Sequence, residues 1–140
     1  MLDIKTIKIV SLATLCFILL DVLWIGFLMN NTYKQKIGSF LRMKNGAFSP
    51  YITSSLLVWI LIVIGSYLFV LPRIINASLG VQFLWGAIYG LVVYGVYDFT
   101  NYALLNAWPL SITLIDLGWG MFANGLLAII LSFLYRYFSR

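Results

Sequence analysis

The hydrophobic and polar positions of this chain of 140 residues fall into four long apolar blocks separated by short polar ones. A helix across a hydrocarbon core of about 30 Å needs roughly 20 predominantly apolar residues. Thr6 to Met29, Tyr51 to Leu71, Leu79 to Leu105 and Leu110 to Tyr135 each meet that need. The pattern predicts an all-α, polytopic membrane protein: a four-transmembrane-helix bundle forming a single integral membrane domain over residues 1–140. The breaks carry helix-end signals, with Asn30-Asn31 after helix one, Ser49-Pro50 before helix two, Leu71-Pro72-Arg73 after it and Asn106-Ala107-Trp108-Pro109 between the last two. Pro109 suits the first turn of helix four, where its missing N–H costs nothing. Their short connection makes helices three and four antiparallel neighbours. Lys5 and Lys8 before an apolar run resemble a secretory leader, but Asp21 stands where a small-residue cleavage site belongs, so the segment reads as a mature helix.

The longest break, residues 30–50, sets Tyr33, Ile37, Phe40 and Leu41 at helical spacing beside Lys34, Lys36, Arg42 and Lys44. That is a short basic amphipathic segment lying along lipid headgroups; a solvated basic loop is the alternative. Tyr33, Tyr51, Trp108, Tyr135 and Tyr137 near the span ends read as an interfacial aromatic belt.

Composition sharpens this picture. With 63% hydrophobic and 9% charged residues, the chain lacks the polar surface to coat a soluble globule, and bilayer is its solvent. The net charge of +5 does not point to nucleic acid, because the basic residues sit at span ends, where they anchor to the interface. The partner implied is the lipid bilayer, with a homo-oligomer or another membrane protein as further readings and no nucleic acid. One cysteine, Cys16, and no histidine remove disulfide frameworks, Cys-His nucleophiles and the usual zinc, haem and di-iron sites. No cofactor or metal is expected. Five basic residues lie on the side of the termini (Lys5, Lys8, Arg73, Arg136, Arg140) and four on the other (Lys34, Lys36, Arg42, Lys44). This near balance leans toward both termini in the cytoplasm, with dual insertion as the competing reading.

Candidate chemistry comes from the acids. Of four, only Asp3 is at an end; Asp21, Asp98 and Asp116 lie inside predicted spans. Each ionisable group near mid-bilayer costs roughly 2.5–3.5 kcal/mol on insertion scales, so three together call for a reason. At 1.5 Å per residue, all three carboxyls fall roughly 9–12 Å below the same membrane face. On helix three Tyr94, Asp98 and Asn101 form a polar stripe continuing Gly86 and Gly90, a small-residue pair that lets another helix approach closely. Helix four repeats this with Thr113, Asp116, Gly120 and Asn124, and helix one has Thr14, Phe17, Asp21 and Trp24 along one side. Helix two has no acid and reads as an outer, lipid-facing support. Asp21-Val22-Leu23-Trp24 echoes Asp116-Leu117-Gly118-Trp119, each with an indole three residues from a carboxyl.

The expected site is therefore Asp21, Asp98 and Asp116 with Asn101, Asn124, Trp24, Trp119, Tyr94, Tyr97 and Thr100. Three readings stand: carboxyls hydrogen-bonded to Asn101, Asn124, Thr100 or Tyr97 as helix glue; a cation or proton site in a small transporter or channel; and acid–base catalysis, or assistance to it, on a lipid or fatty-acyl substrate. Catalytic residues are not assigned.

Beyond hydropathy, the run Gly90-Leu91-Val92-Val93-Tyr94-Gly95-Val96-Tyr97-Asp98-Phe99-Thr100-Asn101-Tyr102-Ala103, then Trp108-Pro109 and Asp116-Leu117-Gly118-Trp119-Gly120, with Asp21-Val22-Leu23-Trp24-Ile25-Gly26 and Tyr33 upstream, resembles a family of small bacterial predicted membrane proteins of unknown function. The resemblance spans nearly the whole chain. It implies a four-helix protein of a bacterial inner or cell membrane and carries no established activity with it.

Overall fold

The computed structural model describes residues 3–140. Helix α1, Ile4–Leu28, opens at Asp3, whose carboxylate accepts the Thr6 N–H at 2.7 Å, the usual way of satisfying a free donor at a helix start. That bond holds the exposed Asp3 carboxyl below its ordinary range. The helix closes in a wider π-turn at Trp24–Leu28. Short helix α2, Asn30–Ile37, follows, then a tight 3-10 turn at Gly38–Phe40 and a two-stranded hairpin, β1 Met43–Lys44 with β2 Ala47–Phe48, pairing Met43 with Phe48 and Lys44 with Ala47. The two turn residues, Asn45 and Gly46, have φ of 51° and 75°, the left-handed pair that a two-residue hairpin turn demands and that Asn-Gly supplies at low cost. Helices α3, Ile52–Ile74, α4, Leu79–Leu104, and α5, Leu110–Phe138, complete the chain.

Among the described residues, four helices, α1, α3, α4 and α5, are long and apolar enough to cross a membrane. The chain is an all-α polytopic bundle, as the hydropathy blocks predict. One boundary differs for a physical reason: α3 continues past Leu71 through Pro72 to Ile74. A π-turn at Ser66–Val70 interrupts the hydrogen-bond ladder, so Pro72 falls in the first turn of the resumed α-helix, where it is tolerated.

The central element is α5, 50% of whose span is buried against 22–28% for the others. Its partner α4 lies antiparallel against it, with Tyr94 on Gly120, Gly90 on the backbone of Gly120 and Cβ of Asn124, and Gly86 on the backbone of Asn124 and Cβ of Ala128. The missing side chains of Gly86 and Gly90 bring the two backbones together, which is how helices without a hydrophobic driving force gain contact in lipid. Along the other side of α5, Ile9, Ala13 and Phe17 of α1 and Ile62, Val63, Val70 and Ile74 of α3 pack around Ala123, Leu127 and Leu131. A second, smaller core sits at the end where α2 folds back: Tyr33 and Ile37 against Trp108 and Ile112, flanked by Leu41 and Phe48. The segment between α1 and α3 is thus a plug on the bundle as well as a basic surface.

Candidate functional site

Asp21, near the end of α1, is buried. One carboxylate oxygen accepts the Trp119 indole N–H at 2.9 Å and the other accepts the Trp59 indole N–H at 2.7 Å. Asp116, one turn before Trp119 on α5, accepts the phenol O–H of Tyr33. The Tyr33 oxygen in turn accepts the Trp24 indole N–H at 3.1 Å. Trp24 and Trp119 stack, with centroids 4.5 Å apart and planes within 1°. The sequence echo therefore becomes a crossed pair, in which each carboxyl is served through the other helix's indole.

Asp98 is different. It is fully buried and lies beside Asp116, close enough for the two carboxyls to share a proton; apart from that neighbour, neither of its carboxyl oxygens has a hydrogen-bond partner. Its backbone oxygen receives a long, 3.5 Å contact from the Thr113 hydroxyl, which also accepts the Trp108 indole N–H at 3.2 Å. The Tyr94 phenol lies half-buried within electrostatic range of all three carboxyls. The basic residues of the spans, Lys5, Lys8, Arg73 and Arg136, all lie toward the other end of the bundle. Lys5 sits 4.4 Å over the Tyr135 ring there.

Several expectations change. Helix two, read as an outer, lipid-facing support, sends Trp59 inward to Asp21. Tyr33, read as a belt residue, is buried because α2 folds over the bundle end, and it bonds to Asp116. Trp108, another belt expectation, is 7% exposed. The carboxylate donors are indoles and a phenol, not Asn101, Asn124, Thr100 or Tyr97. Tyr97 is 60% exposed with its ring edge-on to Trp108, Thr100 is exposed and Asn101 is half-buried. Buried Asn124 donates to the Gly120 carbonyl of its own helix at 2.8 Å. A donor on a distant helix leaves no local signature, so Trp59 was legible only as a Trp within an apolar run.

Burial also acts on Tyr33, outside the spans: loss of solvent, then the neighbouring Asp116 carboxylate, push its phenol above the ordinary tyrosine range.

Bundle and site define a polytopic α-helical membrane protein with a buried acidic and aromatic cluster. The chain belongs to a family described as "Predicted membrane protein (DUF2177)", whose model matches residues 6–133. No curated protein and no solved structure matches it.

Proposed function

We propose that this membrane protein is a small proton-linked transporter or channel in which the Asp98–Asp116 pair holds the proton that moves. The observation that carries this reading is Asp98: buried, with no hydrogen-bond donor for either oxygen other than a proton shared with Asp116, the second carboxyl beside it. Such a group finds its stabilisation in a proton, because charge cannot stay in an apolar interior without a partner. Asp21, both of whose oxygens are paired, has the surroundings of a structural carboxylate instead. A proton is favoured over a metal ion because the described residues contain no group of three or more acidic, Cys or His side chains arranged to hold one.

A second reading, an enzyme or accessory subunit for lipid or fatty-acyl substrates, draws on an apolar groove of about 410 Å³ open to the membrane between α1 and α5, lined by Cys16, Leu20, Leu23, Leu126 and Ile130 among others. It has the chemistry to cradle an acyl chain. None of the carboxyls lines it, so it presents no acid or base to such a chain.

The test is proton flux into vesicles holding the purified protein and an entrapped pH-sensitive dye. Wild type should conduct above empty vesicles, and Asp98→Asn should lower the rate by about tenfold or more, the scale expected for loss of an essential intramembrane carboxyl. Equal rates for the two proteins would refute the reading.

A further inference from the structure

Among the described residues, the buried side-chain atoms left without partners are the Thr14 and Ser66 hydroxyls, Gln82 Oε1, both Asp98 oxygens, Asn124 Oδ1 and the Ser132 hydroxyl. Buried polar atoms ordinarily find a partner in protein or in ordered water. A helical serine has an easy one, the carbonyl four residues back, and the exposed Ser55 and Ser139 use it, bonding Tyr51 and Tyr135. Buried Ser66 and Ser132 do not.

These orphan atoms are spread along the length of the bundle. The α4–α5 seam advances four residues per step on each helix: Tyr94 on Gly120, Gly90 on Asn124, Gly86 on Ala128. One step further at one end sets Asp98 level with Asp116; one step further at the other sets Gln82 level with Ser132. Each step rises about 6 Å, so Asn124 lies roughly 12 Å and the Gln82–Ser132 pair roughly 24 Å from the Asp98–Asp116 level. Thr14 and Ser66 fill the interval. Thr14 precedes Asp21 by two helical turns and Ser66 follows Trp59 by two, and Asp21 and Trp59 are hydrogen-bonded. Because α1 and α3 run in opposite directions, both hydroxyls lie about 10 Å from that bond toward the face of the chain termini. Gln82 stands near the start of α4 and is anchored by its amide nitrogen to the Ala77 carbonyl at 2.8 Å, leaving Oε1 a free acceptor close to the α3–α4 connection. At the opposite end the site is covered by Tyr33 and Ile37 of α2.

We infer that a column of buried water, held by Asn124, Thr14, Ser66, Ser132 and Gln82, joins Asp98 to the face that carries the termini and is the route by which its proton exchanges. The inference rests on the proton-linked reading above and adds a path, a direction and five residues. The Thr14, Ser66 and Ser132 hydroxyls can each accept and donate, while the free Asn124 and Gln82 oxygens accept from water, so a chain of several waters between them carries a proton with no net change in any side chain.

The experiment uses the full chain in dye-loaded vesicles with three variants that add no volume: Thr14→Val with Ser66→Ala, Ser132→Ala alone, and exposed Ser54→Ala as control. The column predicts that the first two conduct at most about a fifth of the wild-type rate while the control is unchanged, with helical content retained in all. If the double variant does not fold, Ser132→Ala decides. Wild-type flux in both folded column variants, with flux still lost in Asp98→Asn, overturns the column and leaves the proposed function standing. No flux above empty vesicles from wild type overturns both.

Discussion

Asp21 and Asp98 are both buried carboxyls, but Asp21 has an indole N–H on each oxygen and Asp98 has none. Hydrogen bonds to a charged acceptor contribute about 1.5–3 kcal/mol each. Trp59→Phe, which removes one donor and keeps a ring, should therefore destabilise the protein by about that amount in thermal unfolding in detergent. Trp85→Phe, on a half-exposed ring with no such bond, should cost much less. Tyr33 offers a pH test. Its phenol is pushed up by burial and by Asp116, so the folded protein keeps it protonated beyond the ordinary value near 10. A group raised on folding contributes stability that is fully present below its unfolded value and is lost as pH rises through the folded one. Stability against Tyr33→Phe should hold level up to about pH 10 and fall above it, and the part of the phenolate difference absorbance that Tyr33→Phe removes should appear only with unfolding. Sequence reading located the acids and their nearby indoles because hydropathy makes a polar residue conspicuous in an apolar run. It could not locate the donors, since the Trp119–Asp21 bond joins residues 98 apart and the Tyr33–Asp116 bond residues 83 apart.

Between elements, the α4–α5 seam is the tightest joint. A Cβ at Gly90 would run into the Gly120 backbone carbonyl, whereas one at Gly118 would meet nothing within 4 Å. Gly90→Ala should thus lose about 1–3 kcal/mol through forced separation of the helices, while Gly118→Ala should be neutral or gain up to about 1 kcal/mol of helix propensity. Thermal unfolding of the pair checks both signs. The Gly86/Gly90 spacing made this close approach legible from sequence, because only a small residue permits it. The role of α3 was not legible, because its link to the carboxyls is one indole on a helix without an acid. The hairpin at residues 43–48 had a local signal in Asn45-Gly46, hidden within a segment read for its amphipathic spacing.

For the molecule as a whole, the basic residues stand five to four across the membrane, and we propose that both termini lie in the cytoplasm. With Lys5→Gln and Lys8→Gln the count becomes three to four, and a C-terminal reporter should move toward the opposite face. A reporter unmoved by the change would show that this charge count does not set orientation. The plug of α2 over one end and the polar column toward the other make the two faces unlike.

The number of spans, their antiparallel order, the close-packed glycines and the shared depth of three carboxyls were all determined by the sequence alone. Each depends on a local quantity: run length against bilayer thickness, side-chain size, or rise per residue along one helix. Which donors meet which carboxyl, that Asp98 meets none, that α2 turns back as a plug and that Ser66 and Thr14 share a level were decided by the tertiary structure. These depend on the rotation and tilt of one helix against another, which many weak contacts set together and no single segment of sequence encodes.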